Sequence, residues 1–293
     1  MKNQKSNPEE ELLPQKITSF TKSYDIIGDI AVIRVQEHSR CQEKIIADTI
    51  MQTRKHIKTV LRQVSGVSGN FRLRRLKWVA GERKTETLYK EFDCVFRVDL
   101  KQCYFSPRLS FERMRLARTI RPDETVVNMF AGVGSFSVLM AKRGRAETVY
   151  SIDVNPSAVR FMRENVRLNK VQGHVISILG DAKEVIIGHL QKTADRVVMP
   201  LPEKAYEYLD YALLALKPIG GWIYYYDFEH ALKKEDSVEK VKEKVSEKLQ
   251  EMGVDFVVKL GRVARHTGPH WYQVVLDIKI LRKRLKFKGV FKR

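Results

Sequence analysis

The stretch "VVNMFAGVGSF", Val126–Phe136, decides how this chain is read. Apolar residues run up to Ala131 and give way to Gly132 and Gly134, and a helical pattern opens at Ser135. A strand that stops in glycines before a helix brings a bare backbone and unpaired helical N–H groups to one place. Such a place suits a ligand, because open α/β sheets bind ligands beyond the carboxyl ends of their strands. About twenty residues on, "SIDVN" closes the next strand in Asp153, where a carboxylate can accept the two hydroxyls of a ribose. The Gly132-x-Gly134-x-x-Ser137 spacing also approaches a dinucleotide fingerprint, so NAD is open at this point. "GDA", Gly180–Ala182, follows the third strand and puts Asp181 where an adenine amino group can be recognised. No glycine or arginine cluster is visible for a second phosphate-bearing half. Together these features favour S-adenosylmethionine (AdoMet) over NAD.

Outward from that stretch the chain alternates. "ETVVNMF", "TVYSIDV", "GHVISILG", "DRVVM" and "GGWIYYYDF" read as strands, and helices are expected over Ser135–Arg143, Pro156–Leu168, Lys204–Leu214 and Ser237–Met252. This rhythm predicts a parallel, doubly wound sheet. "DFVVKL" and "WYQVVLDIKI" follow without an intervening helix, which predicts an antiparallel hairpin at one edge. Upstream lies a smaller α/β module. "SYDIIGDIAVIRV" reads as strand, turn and strand, Cys41–Lys55 as a helix, and "TVLRQV", "ETLYKEF" and "CVFRVDL" as short strands. Between them Gly69–Lys84 is basic, with Phe71 and Trp78 interleaved. The expected division is a disordered leader over 1–16, the small domain over 17–103, the large domain over 104–281 and a basic tail over 282–293.

The chain has 293 residues and 43% hydrophobic residues, enough for a core of ordinary size. Lys and Arg number 54 against 35 Asp and Glu, a formal net charge of +19 that points to a polyanionic partner such as nucleic acid. The three cysteines, Cys41, Cys94 and Cys103, have no metal-like spacing and read as structural thiols of a cytoplasmic protein. His266 and His270 lack metal-ligand partners, so no metal is expected. No stretch suits a bilayer or a signal peptide.

Taken with "YFSPRLSFERMRLAR" and "DRVVMPLPEKAYEYLD", these motifs resemble the archaeal and eukaryotic tRNA (guanine-37-N1)-methyltransferases, over roughly residues 20–281. The resemblance implies a Rossmann-like class I AdoMet-dependent methyltransferase domain preceded by a small α/β RNA-contacting domain, and it implies "RHTGPHW" (Arg265–Trp271) as a loop. It implies methylation of the guanosine beside the anticodon, with the tRNA anticodon loop as partner and a monomer as the acting form. N1 of guanine carries a proton at neutral pH, so transfer needs a base, and charge gathering on O6 needs a donor. Glu112 is expected to lie on a helix entered through Ser106 and Pro107, with Arg108 and Arg115 as helical neighbours. It matches the family's proposed general base, and Arg72 matches the arginine that steadies the target base. The implied cofactor contacts are Arg108, Phe130, Gly132, Gly134, Asp153, Asp181, Met199 and Pro200. The implied substrate contacts are Tyr104, Arg74, Arg75, Arg113 and Pro202.

The chain departs from the family pattern at named places. Asn128 stands where an acidic residue is usual. Pro200-Leu201-Pro202 stands where Asn-Leu-Pro is usual, so the side chain thought to hold the guanine is missing and the Met199 and Pro200 carbonyls are the candidate substitutes. The additional N-terminal domain of some members, which grips the outer corner of the tRNA, is not expected. Alternatives are aminocarboxypropyl transfer or methylation of a wyosine precursor at the same nucleotide, a nicotinamide-dependent oxidoreductase, and a non-catalytic RNA-binding module.

Overall fold

The computed structural model describes residues 24–35 and 42–283, with the side chains beyond Leu281 excepted. The leader expected over 1–16, Cys41 and the basic tail over 282–293 lie outside the described residues or at their limit. The chain forms two compact units, residues 1–107 and 108–293.

In the first unit β1 (Asp25–Ile27) and β2 (Ile30–Ile33) flank the Gly28-Asp29 turn, where Gly28 has φ of 59°. A Cβ at Gly28 would meet Oγ1 of Thr87 at 2.1 Å, so the turn accepts only glycine. Helix α1 (Glu43–Thr53) leads into β3 (Thr59–Gln63), which pairs parallel to β2. Ile46, Ala47 and Ile50 pack from α1 onto Ala31, Ile33 and Val60, which is the core of this unit. The basic Gly69–Lys84 stretch contains a strand, β4 (Leu76–Gly81), antiparallel to β3 and mostly exposed. Strands β5 (Glu86–Glu91) and β6 (Cys94–Asp99) form a separate hairpin, and Cys94 and Cys103 are buried.

A 3-10 turn over Pro107–Leu109 straddles the boundary between the units in sequence and passes into α2 (Ser110–Ala117). The helical path begins at Pro107 only as a 3-10 turn; the regular α-helix starts three residues later with Leu109 at its N-cap, so Ser106 does not cap it, contrary to expectation. There follow β7 (Thr125–Asn128), α3 (Ser135–Lys142), β8 (Thr148–Asp153), α4 (Pro156–Leu168) and β9 (Val175–Leu179). Asn155 caps α4 by accepting the Ser157 N–H at 3.0 Å, and Pro156 takes the first helical position. A short helical run then appears that the strand–helix rhythm had not suggested: α5 (Ala182–Val185), capped by Asp181, and a π turn over Ile186–Leu190. Strand β10 (Arg196–Met199) precedes α6 (Pro202–Ala205) and α7 (Leu209–Ala215), so the single helix expected over 204–214 is broken in two.

Strand β11 (Gly221–His230), α8 (Ser237–Glu251), β12 (Val254–Gly268) and β13 (Trp271–Lys283) complete the unit. The stretch expected as a loop over Arg265–Trp271 is instead mostly strand, closed by a tight turn at Pro269-His270. His270 takes φ of 58°, the left-handed conformation such a turn demands. The seven-stranded sheet has the order β12-β13-β11-β10-β7-β8-β9. Its central strands are parallel, and β13 lies antiparallel between β11 and β12. Val127, Ile152, Val197, Ile223 and Ile278 carry the core outward from these strands.

Candidate active site

At the carboxyl edge of the parallel strands, backbone bonds stitch neighbouring loops together. Met129 N–H donates to Val198 C=O, Ala131 N–H to Ile152 C=O and Gly180 N–H to Asp153 C=O, at 2.8–3.1 Å. These bonds gather Phe130, Gly132, Asp153, Asp181, Met199 and Pro200 along one edge. Gly132 and Gly134 have φ of 56° and 83°. The reason for the second glycine is packing: a Cβ there would lie 2.8 Å from Cγ of buried Met162 on α4. Gly132 has a different task, since its N–H donates to Asp153 Oδ2 at 2.7 Å. Asn165, fully buried, donates to the Val133 carbonyl at 2.9 Å and holds the loop from beneath.

Asp153 tests whether a ribose-bearing cofactor fits. Its Oδ2 takes the Gly132 N–H and its Oδ1 takes the Asn155 N–H at 2.9 Å. Each carboxylate oxygen accepts two hydrogen bonds, so one site per oxygen is left for a vicinal diol. Burial pushes the Asp153 carboxyl up from its ordinary range, while the Asn155 and Gly132 N–H groups oppose the shift. Asp181 Oδ1 caps α5 through the Lys183 N–H at 2.8 Å, and Oδ2 accepts from Tyr208 Oη at 2.7 Å. Burial and the Asp181 carboxylate push the Tyr208 hydroxyl up, so it stays a donor. The Phe130 and Tyr208 rings meet edge to face at 5.2 Å, forming an aromatic wall beside the acid. The donor set fits AdoMet: a diol acceptor, an amine acceptor and apolar walls. Met199 is fully buried, which leaves only its backbone to face a ligand. Asn128 is likewise buried, with Nδ2 donating to Ser137 Oγ at 3.0 Å, so it acts here as a strut between β7 and α3.

Glu112, 2% exposed, is the hub of a second constellation. Arg115 grips it with two N–H groups, Nε to Oε2 at 2.9 Å and Nη2 to Oε1 at 2.8 Å. Tyr226 Oη donates to Oε1 at 2.8 Å, and Arg262 pairs with Oε2. Behind Arg115, Asp277 accepts from Nη1 at 2.6 Å and from Nη2 at 2.8 Å. Burial works against the Arg115 cation, but Asp277, with Tyr226 and Tyr224, holds the guanidinium above its usual range. Burial pushes the Tyr226 hydroxyl up, so it too remains a donor. The Tyr226 ring lies 6.1 Å from Phe136, two residues past Gly134, which ties this hub to the glycine loop. Of these partners only Arg115 was legible as a helical neighbour. Tyr226, Arg262 and Asp277 come from distant strands, and no spacing in the sequence announces them.

Two expected substrate contacts are placed differently. Arg113 is 2% exposed with its guanidinium over the Phe136 ring at 6.0 Å, and Pro202 is buried at the first position of α6. Neither side chain is open to a partner, because both are consumed by packing. Arg108 is exposed in the 3-10 turn, and Pro200 is half-buried. In the first unit, Arg72 lies over the Tyr104 ring at 4.3 Å with φ of 53°. Arg74 donates to the Phe105 carbonyl at 3.0 Å and lies 5.8 Å from the same ring. Arg75, Phe71 and Trp78 are exposed, with Arg83 stacked over Trp78 at 4.7 Å. Among the described residues no group of three or more His, Cys, Asp or Glu side chains could hold a metal, and no helix is long and apolar enough to cross a membrane.

Known proteins resemble this chain in sequence and fold. Residues 87–258 match the family described as TRM5/TYW2 methyltransferase domain, and residues 8–85 match the TYW2 N-terminal domain. The chain is 38% identical to the tRNA (guanine(37)-N(1))-methyltransferase Trm5b of Pyrococcus abyssi, over 92% of this chain and 78% of that protein. The crystal structure of Trm5b from Pyrococcus abyssi superposes with a TM-score of 0.83 at 37% identity, covering 94% of this chain and 81% of the other. The tRNA 4-demethylwyosine(37)-methyltransferase Taw21 of Saccharolobus solfataricus is 39% identical, over 88% of this chain and 94% of that protein. The Pyrococcus horikoshii TYW2 structure, solved with MeSAdo, has a TM-score of 0.76 at 27% identity, covering 95% and 96% of the two chains.

Proposed function

Because the chain belongs to the AdoMet-dependent TRM5/TYW2 methyltransferase family, we propose that it methylates N1 of guanosine-37 in tRNA with Glu112 as general base. The observation that carries this reading is the buried Glu112 carboxylate, fixed by Arg115 and Tyr226 and linked through Phe136 to the glycine loop. When bound, AdoMet supplies an electrophilic methyl group on a sulfonium and leaves as a neutral thioether. Asp153 would hold the ribose diol, Asp181 would receive the adenine amino group, and Phe130 and Tyr208 would cover the adenine. Glu112 is placed to take the N1 proton, which leaves the N1 lone pair free to receive the methyl group. Arg115, clamped by Asp277, then stays as the cation beside the acid. Arg72, stacked on Tyr104, is assigned to the charge that gathers on O6. Arg74, Arg75, Phe71 and Trp78 offer cations and ring faces of the kind that bind unpaired RNA.

The test is Glu112→Gln, which keeps the shape and removes the base. Single-turnover methyl transfer to an unmodified transcript is expected to fall about 10²–10⁴-fold at saturating protein, in a variant that still folds and binds tRNA although the loss of a buried carboxylate lowers its melting temperature. Full activity in that variant overturns the assignment. A second reading, methylation of the tricyclic wyosine precursor, is favoured by Pro200 in place of the family asparagine. The 39% identity to Taw21 and the TYW2-type match over residues 8–85 support the same alternative. It uses the same cofactor residues and differs in the base accepted.

A further inference from the structure

Glu112 has no vacancy in this state. Arg115 and Tyr226 fill Oε1, while Arg115 and Arg262 fill Oε2. A base must open one acceptor site before a proton can arrive, so one donor has to leave. The donors are not equally bound. Arg115 is locked by two bonds to Glu112 and two to Asp277. Tyr226 stands fully buried within β11. Among the described residues Arg262 has Glu112 as its ion-pair partner and feels Asp277 at longer range, and neither its Nε nor its Nη2 makes a hydrogen bond of regular geometry. Its side chain is 26% exposed on β12, the outer strand of the seven-stranded sheet.

The surroundings of Arg262 suit an anionic polymer. From Phe256 to Gly268 the chain carries Lys259, Arg262, Arg265 and His266 and no Asp or Glu. The Arg262 guanidinium lies 5.7 Å from the ring centre of Phe111, which is 70% exposed. A phosphate for the guanidinium and a base for the open ring face are both offered by single-stranded RNA.

We propose that Arg262 is an exchangeable cap on Glu112, filling Oε2 in the free protein and passing to an RNA backbone phosphate on binding. The exchange swaps one anionic partner for another. It leaves Arg115 and Asp277 in place, so Glu112 stays oriented. Charge also moves in the useful direction: two carboxylates and two guanidiniums sum to zero, and departure of Arg262 leaves an excess negative charge that strengthens the base. Substrate binding and activation of the carboxylate thereby become one event. This inference rests on Glu112 being the base.

The experiment compares Arg262→Gln and Arg262→Lys with Glu112→Gln in single-turnover methyl transfer to an unmodified transcript, across protein and salt concentrations. For Arg262→Gln the half-saturating protein concentration is expected to rise about tenfold, as for a lost charge-assisted bond. Its log–log salt slope should fall by about one phosphate. The saturating rate should fall only about threefold, because Arg262 has already left Glu112 in the complex. Arg262→Lys, which keeps a point charge, should recover part of the affinity and of the salt slope. A saturating rate that collapses toward that of Glu112→Gln, with affinity and salt slope unchanged, overturns the cap and makes Arg262 a fixed partner. Wild-type values throughout also overturn it. Full activity of Glu112→Gln instead defeats the base assignment, and a raised half-saturating concentration for Arg262→Gln would then report a phosphate contact without a cap.

Discussion

Replacing Asp277 by Asn removes one charge from the centre of the Glu112 hub while keeping its volume. The carboxylate accepts two bonds from Arg115, at 2.6 and 2.8 Å, and the two side chains are 8% and 16% exposed. Removing one partner of a buried ion pair typically costs about 3–5 kcal/mol. Two features set the lower end of that range. Arg115 keeps its grip on Glu112, and Asn retains one acceptor oxygen. The other position becomes an N–H group facing an N–H group. A loss of about 3 kcal/mol follows, which for a unit of this size lowers the melting temperature by about 6–12 °C. Activity should fall less than in Glu112→Gln, about tenfold, because the base survives with a poorly anchored partner. Scanning calorimetry gives the first number and single-turnover methyl transfer the second. A melting shift under about 2 °C with an unaltered rate refutes the claim that Asp277 anchors Arg115 and, through it, Glu112.

Gly134→Ala places a Cβ at φ of 83° and 2.8 Å from Met162 Cγ. It should cost about 2–4 kcal/mol in thermal unfolding, and an unchanged melting curve would contradict the packing argument. Asp153→Asn should weaken AdoMet binding about tenfold by calorimetry, since the diol loses an ionised acceptor. The raised Asp153 carboxyl disfavours its charged form in the fold, so its contribution to stability is present at low pH and lost as pH rises through the raised value. AdoMet binding needs the charged form, so affinity should decline on acidification before the ordinary Asp range is reached; a flat affinity over that span would contradict this. Pro200→Asn restores the carboxamide usual in the resembled family and should raise the ratio of kcat to KM on an unmodified transcript. An unchanged or lower ratio would show that Pro200 already serves the base.

The parallel sheet was legible because β7, β8, β9 and β10 are short apolar runs closed by Asn, Asp, Gly or Pro. Pro156–Leu168 formed as read because Asn155 and Pro156 fix its start. Strand β4 escaped because it is mostly exposed and basic, so the alternation that marks a half-buried strand is missing. The run from Ala182 escaped because four α residues and a π turn are too short for a periodic signal. At the site, Asp153 and Asp181 were readable from their places at strand ends. The rest of the Glu112 hub was not: Tyr226 is 114 residues away from Glu112, and Asp277 is 162 from Arg115. Only the antiparallel insertion of β13 beside β11 brings these side chains to α2. The same burial that completes the hub encloses Arg113, which the resemblance had implied as a substrate contact.

The most direct test of the account is nucleoside mass analysis of an unmodified guanosine-37 tRNA transcript incubated with the protein and AdoMet. The account predicts one added methyl group, located on N1 of guanosine-37. No methyl gain on that transcript, with gain on a tRNA carrying the tricyclic precursor, would contradict it and assign the chain to the later step. A gain of an aminocarboxypropyl mass would contradict it as well and make the transferred group itself the error.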